Sequence, residues 1–427
     1  MINIRKCSVV LLLLSLAVGR VFAGGGEETD GSKPYSGISI RVLADQRSEI
    51  VKLRELTADF EAATGMTVEY LILGDSPLDE KVALEFSAPN TNIDVSFLKF
   101  FLLKDYVAKG FLEPISDHAS GGFSQFPQSV LDIGTVNGKI YGIPQMVDPN
   151  ILTYRADIFA EYGLSVPKTM AEFEETAKFI TENVPDMHGA VARGGRGARP
   201  NWNWSSFLFA YGGRYLDAAG NPTINTPEAV AALEAFQRIF SNYGPPGVSD
   251  YNWQDVQDSM ASGSVAMMYD GASLTKRIAD PIDPDYSKFA DRFSFALVPE
   301  GPAGRESGYF TWLLVMPRGS KAENKPAAAA YIDWAFSDDI AMQAGWGAAT
   351  TELYDIPAYD GYGEARNMVD VYDEALQYSS QDYRPLIAQL PQLMDIVDLA
   401  INMALSGIKT PQEALDEAQD ELEKLLR

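Results

Sequence analysis

The stretch NGKIYGIPQMVDPNILTYRADIF, Asn137 to Phe159, separates two runs of alternating strand and helix signals. It opens on a turn pair, Asn137-Gly138, passes through Gly142-Ile143-Pro144 and reaches Asp148-Pro149. Asp and Pro both favour turns. The apolar run that follows, Ile151 to Tyr154, has the character of a buried strand. The pattern predicts that the chain crosses here between two lobes, and that the crossing floors a ligand cleft. Asp148 would reach that cleft from the crossing; the alternative is that Asp148-Pro149 is only a turn.

Upstream, Ile38 to Leu43 alternates as a strand should, and Ile50, Leu53, Leu56 and Phe60 then recur at helical spacing until Gly65. A second strand is predicted over Met66 to Leu73, a helix over Leu78 to Ser87, a third strand over Ile93 to Phe97 and a helix over Phe101 to Lys109. Strands alternating with helices imply a parallel sheet with right-handed crossovers. Ligands in such sheets sit beyond the carboxyl ends of the strands. That points to Asp45, Gln46 and Arg47 after the first strand and to Leu98, Lys99 and Phe100 after the third.

Downstream, Thr169 with Glu172 forms a capping box. Thr226-Pro227 opens a further helix with Pro at its first position. Ser264 to Tyr269 reads as a strand, followed by Asp270-Gly271 and a helix to Ala279. Phe293 to Val298 is another strand, and Pro326 to Phe336 an alanine-rich helix. The tail is helical over Glu364–Tyr378, Leu386–Ser406 and Pro411–Leu426, the last behind a capping box of Thr410 and Glu413. No internal repeat is present.

The 427 residues allow two or three domains. At the N-terminus, Arg5 and Lys6 precede the apolar run Ser8 to Val18, and Val21-Phe22-Ala23 places small residues where a signal peptidase reads. Cleavage after Ala23 is expected, since the run is too short to span a bilayer; a retained anchor is the alternative. Residues 24–37 are Gly-rich and polar and predict a disordered leader. The one cysteine, Cys7, precedes the apolar run, so it is not a lipid-bearing cysteine at the cleavage point, and the mature chain would have no thiol chemistry. The net charge is −25, and removal of Arg5, Lys6 and Arg20 makes the chain more acidic. Such a balance disfavours nucleic acid and anionic membranes as partners. Two histidines, His118 and His188, are too few for a histidine-based metal site. No cofactor is called for.

The most unusual segment is RGGRGARPNWNWSSFLFAYGG, Arg193 to Gly213. Glycine and proline predict a loop in which Trp202 and Trp204 begin outside any helix. Aromatic faces beside Asn and Arg suit a sugar or polyol: the ring packs on C–H faces and the polar groups take the hydroxyls. Alternatively the tryptophans are core, and the arginines serve a phosphate or carboxylate. Asp45 and Asp270 are each either helix caps or acceptors of ligand hydroxyls. There is no G-x-S-x-G elbow, phosphate-binding loop or H-E-x-x-H motif. A glycosidase carboxylate pair is left open by the many acidic residues.

Five blocks, taken together, carry a family resemblance: NGKIYGIPQMVDPNILTYRADIF, YGLSVPKTMAEFEETAKFI, SGSVAMMYDG, FSFALVPEGPAGRESGYFTWLLVMPRGSKAENKPAAAAYIDWAFS and LSGIKTPQEALDEAQDELEKLL. In their order and spacing the chain resembles the extracellular solute-binding proteins of ABC importers, of the maltose-binding-protein type. The resemblance implies a type II periplasmic-binding-protein fold of class α/β: two lobes, each a mostly parallel sheet flanked by helices, and three hinge crossings. Lobe one would be residues 38–144 with 312–349. Lobe two would be 147–308 with 350–427. The hinges would lie near 145–148, 308–312 and 349–353. It also implies ligand contacts from Asp45 to Arg47, from Asp148, from Asp270-Gly271 and from Tyr309 to Trp312. Lys99, Arg193, Trp202, Trp204, Trp346 and Arg384 complete the expected set. Two departures bear on the ligand: Leu393 falls near a position where some relatives stack a tryptophan on sugar, and Lys99-Phe100 stand where acidic or tryptophan residues are frequent. The implied protein is a free, monomeric periplasmic receptor without catalysis. It would hand a sugar or polyol to an ABC permease, with a carbohydrate-active enzyme and an anion receptor of the same fold as the rivals.

Overall fold

Among the described residues the strands form two six-stranded sheets and a separate two-stranded pair, Thr135–Val136 with Lys139–Ile140. In chain order they are β1 (Ser39–Asp45), β2 (Thr67–Leu73), β3 (Val95–Lys99), β4 (Leu112–Glu113), β5 (Thr135–Val136), β6 (Lys139–Ile140), β7 (Gly142–Pro144), β8 (Asp148–Arg155), β9 (His188–Val191), β10 (Val265–Gly271), β11 (Phe293–Leu297), β12 (Ser307–Phe310), β13 (Trp312–Pro317) and β14 (Ser379–Ser380). The computed structural model describes residues 33–427 apart from 120–122, 124–125, 127, 280–285, 347–350, 386 and 388. The expected signal peptide, most of the leader and part of the third crossing lie outside these residues. Residues 33–37 were expected within a disordered leader; instead they make a turn, and the Tyr35 amide donates to the Thr64 carbonyl at 3.0 Å.

The first sheet runs β2-β1-β3-β13-β4, with β7 also on β13. The second runs β14-β12-β8-β10-β9, with β11 also on β8. The expectation of mostly parallel sheets needs correction. β1 is parallel to β2 and β3, but β13 is antiparallel to β3, β4 and β7. Likewise β10 is parallel to β9, and β12 to β14, whereas β8 is antiparallel to β10, β11 and β12.

The cause is the way the chain passes between the sheets. It leaves the first sheet after β7 and enters the second at β8, then returns much later from β12 into β13. The outgoing and returning segments lie side by side in opposite directions. Leu313 pairs with Pro144, and Phe310 with Asp148. Between these pairs the Gln145 amide donates to the Trp312 carbonyl at 2.8 Å. One antiparallel ribbon thus runs through both sheets, and it puts β8 and β13 at their centres. Both strands are buried along their whole length, as strands covered on two faces must be.

The helices begin and end where local chemistry dictates. Ser48–Thr64 ends at Gly65, which takes a left-handed φ of 77° and donates to the Glu61 carbonyl. Thr169 and Glu172 satisfy each other's backbone amides at the start of Met170–Asn183, and Thr410 and Glu413 do the same for Pro411–Leu425. One reading of the sequence fails. Trp202 and Trp204 lie inside a helix, Asn201–Ala210, whose ten residues are all buried.

Candidate ligand site at the crossing

Asp148 is the first residue of β8 and is buried. The Ser273 amide and hydroxyl donate to its two carboxylate oxygens, at 2.8 and 2.7 Å. Ser273 lies in the first turn of Ala272–Ala279, where free backbone N–H groups favour an acceptor. That turn approaches because residue 271 is glycine: a Cβ there would stand 2.6 Å from an Asp148 carboxylate oxygen. Burial pushes the Asp148 carboxyl up to about 6; the Ser273 hydrogen bonds pull it down and the neighbouring Asp270 charge pushes it up.

Asp270, the penultimate residue of β10, is fully buried. It is the hub of the second-sheet half of the site. Arg193 grips it with Nε and Nη2 at 2.8 and 2.6 Å, the Trp202 indole Nε1 donates at 2.8 Å, and the Gly271 amide donates at 2.7 Å. Trp202 is held from behind by the Asn150 carboxamide, which donates to its carbonyl at 3.2 Å. The Tyr383 ring meets Trp202 edge-on at 5.2 Å. Arg384 lies over Tyr383 at 5.2 Å and over Phe101 of the first lobe at 4.7 Å.

The first-sheet half is centred on Trp312 at the head of β13. Lys99, at the end of β3, holds its ammonium 5.3 Å from the centre of the Trp312 ring, and the Arg47 guanidinium stands at 5.9 Å. Both cations are matched: Lys99 binds Asp79 at 2.6 Å and Arg47 binds Asp45 at 2.6 Å. Asp45 also accepts from the Gln46 amide at 2.8 Å, while the Gln46 side chain points to solvent. Asp45 is therefore not the cap of helix Ser48–Thr64; Arg47 occupies that position without a side-chain cap. The two halves touch through aromatic rings. Phe100 stands 5.2 Å from Tyr309 and 6.3 Å from Tyr383. Below the crossing, Tyr354 and Tyr372 stack at 4.1 Å, and the Tyr372 hydroxyl donates to the Val147 carbonyl.

The structure thus gathers Asp45, Arg47, Lys99, Asp148, Arg193, Trp202, Asp270, Gly271, Tyr309, Trp312 and Arg384 around the ribbon. It does not bring Trp204 or Trp346 there. Trp204 is fully buried and packs on Tyr215, 6.0 Å between ring centres. Trp346 is stacked on Phe336 at 5.4 Å and donates to the Ala335 carbonyl, so it belongs to the core of the first lobe. Four residues that pattern reading missed stand in the same cluster: Gln145, Ser273, Tyr383 and Asp79. Gln145 is the most telling. It is fully buried at the crossing, and neither its carboxamide oxygen nor its nitrogen has a partner. The Trp312 indole N–H and the Arg384 Nε are likewise buried and unpartnered. Buried polar atoms are nearly always paired, with protein or with ordered water. A lone polar residue beside Pro144 was the only sequence signal for Gln145.

The model of the bacterial extracellular solute-binding proteins matches residues 45–342, well over half of the sequence. The chain belongs to that family. A probable amino-acid ABC transporter periplasmic-binding protein of Sinorhizobium fredii is 26% identical over 409 residues, covering 92% of this chain and 91% of that one. A mannitol-binding protein of Pseudomonas aeruginosa is 25% identical over 305 residues, 70% of this chain and 69% of that one. Among solved structures, an ABC transporter solute-binding protein of Agrobacterium radiobacter K84, in complex with ribitol, superposes with a TM-score of 0.78. It is 25% identical and covers 92% of this chain and all of that one. The two-lobed type II fold expected for this solute-binding protein is the fold found. Among its described residues no helix is long and apolar enough to cross a membrane, and no group of three or more His, Cys, Asp or Glu is placed to hold a metal ion.

Proposed function

We propose that this solute-binding protein captures a neutral polyhydroxylated solute, a sugar or an alditol, between its two sheets and delivers it to the permease of an ABC importer. One observation carries the neutral choice. Arg47, Lys99 and Arg193 are each already paired with a carboxylate, while Gln145 and the Trp312 indole N–H, both neutral, are left without partners. An anion at any of these three cations would have to break an existing ion pair, whereas a hydroxyl needs only the free groups. The ribitol and mannitol named for similar proteins support the same class.

Capture is a population shift. The ligand favours the closed arrangement because only that arrangement presents groups from both sheets to it. The lobes are residues 38–144 with 312–349 and residues 147–308 with 350–427. Bending occurs near 145–148 and 308–312, where the ribbon passes from sheet to sheet, and near 349–353. The protein acts without turnover, as a monomer, in the periplasm, after removal of residues 1–23. A thermal-shift screen of sugars, alditols and sugar acids tests the reading. A ligand at a hundredfold its Kd adds about 2.7 kcal/mol of stability. A screen in which only sugar acids raise the melting temperature would falsify the neutral-ligand assignment.

A further inference from the structure

We propose that a second polar subsite, built from Asn201, Trp204, Tyr215, Arg384 and Asp398, lies beyond the Trp202–Tyr383 pair and takes the far hydroxyl groups of an extended ligand. The proposal rests on the protein being a polyhydroxyl receptor.

Helix Asn201–Ala210 faces helix Leu390–Leu405 across this region. The amide and the carboxamide nitrogen of Asn201 both donate to one oxygen of Asp398, the amide at 3.1 Å. That leaves the other Asp398 oxygen and the Asn201 carboxamide oxygen without hydrogen-bond partners, on side chains 1% and 0% exposed. The Trp204 indole N–H and the Tyr215 hydroxyl are also buried and unpartnered, on rings 6.0 Å apart. The Arg384 Nε is a fifth such atom. Tyr215 lies within the fields of Asp398 and Arg384: burial first, then the Asp398 charge, raises its hydroxyl well above the ordinary value, while Arg384 opposes this.

Five unpartnered polar atoms in one buried region are far from the usual pairing of interior groups. Their chemistry is mixed. Asp398 and Asn201 accept, Trp204 and Arg384 donate, and Tyr215 does either. A hydroxyl group donates and accepts at once, so a run of hydroxyls satisfies such a set. The Asp398 charge is countered by Arg199, whose Nη1 stands 3.8 Å from its free oxygen. A carboxylate ligand would face Asp398, and an ammonium would face Arg384. Packed side chains link this region to the crossing: Arg384 lies against Tyr383, and Tyr383 against Trp202. Trp204 thereby returns to the ligand through its indole N–H, not through a stacking face.

The test is calorimetric titration of the wild type and of Tyr215→Phe with erythritol, ribitol and D-mannitol. A crystal structure of the wild type with whichever of these, or of the common hexoses, binds most tightly accompanies it. Tyr215→Phe keeps the ring contacts and removes only the hydroxyl. The longest alditol bound should weaken about tenfold and the shortest less than about twofold, the scale of one hydrogen bond. The crystal structure should place a ligand hydroxyl against Tyr215 Oη. Equal losses for every ligand, or a crystal structure with only water at Tyr215 Oη, overturn the subsite and leave the function standing. A wild type that binds no alditol and no sugar overturns the function itself.

Discussion

Asp148 carries the sharpest consequence at the scale of single residues. Its carboxyl is raised from an ordinary 3.8 to about 6, chiefly by burial. A raised acid contributes stability that is fully present below the unfolded value and is lost as pH rises through the folded value. Wild type should therefore lose up to ~3 kcal/mol relative to Asp148→Asn between about pH 4 and about pH 6, and the difference should be level above that range. Denaturant unfolding at several pH values measures it; parallel curves for the two proteins would remove Asp148 from the buried site. Gly271→Ala tests the same contact from the other side. Its Cβ would stand 2.6 Å from the Asp148 carboxylate, and the strain should cost ~1–3 kcal/mol and weaken ligand binding. Wild-type stability and affinity in that variant would show that the turn at Ala272 can retreat freely. At this scale the acidic and cationic residues were legible: Asp45, Asp148, Arg193 and Asp270 stand where strand ends and turns put them. Gln145 and Ser273 were not, because an ordinary polar residue shows its role only once its neighbours have been placed.

Elements with local signals were legible from the sequence, and elements defined by distant contacts were not. The capping boxes at Thr169 and Thr410 depend on three-residue spacing alone, and both formed. Thr410→Ala should cost ~1 kcal/mol through loss of the cap. It should leave ligand affinity unchanged, since helix Pro411–Leu425 packs on the back of the second lobe against Leu390–Leu405 and Pro227–Tyr243. Chemical denaturation with parallel titration checks both parts; a change in affinity would mean that the tail helix reports on the cleft. Helix Asn201–Ala210 escaped notice for a physical reason. It is buried on every side, so its sequence has no polar face and no helical phase to detect. The ribbon escaped for another. β7–β8 and β12–β13 are far apart in sequence, and nothing local to either announces that they pair antiparallel. Alternating βα signals suggested parallel sheets, and only tertiary pairing shows that β8 and β13 run against their neighbours.

For the molecule as a whole, the ribbon explains why ligand capture and shape should be linked. Two sheets share it, the unpartnered Gln145 sits on it, and rings from both lobes (Phe100, Phe101, Tyr309, Tyr383) meet over it. A solute that bonds Gln145 and Trp312 together with Asp148 and Arg384 holds both lobes at once. Without it, those contacts should be the ones lost on opening. Ligand affinity should accordingly fall at least about tenfold in Gln145→Ala, more than a single exposed hydrogen bond provides, while the folded chain persists. Small-angle scattering, with and without a saturating alditol or sugar whose binding calorimetry has confirmed, tests the central claim most directly. The radius of gyration should fall on binding as the lobes close over the crossing. An unchanged radius of gyration with the ligand bound would contradict capture by closure.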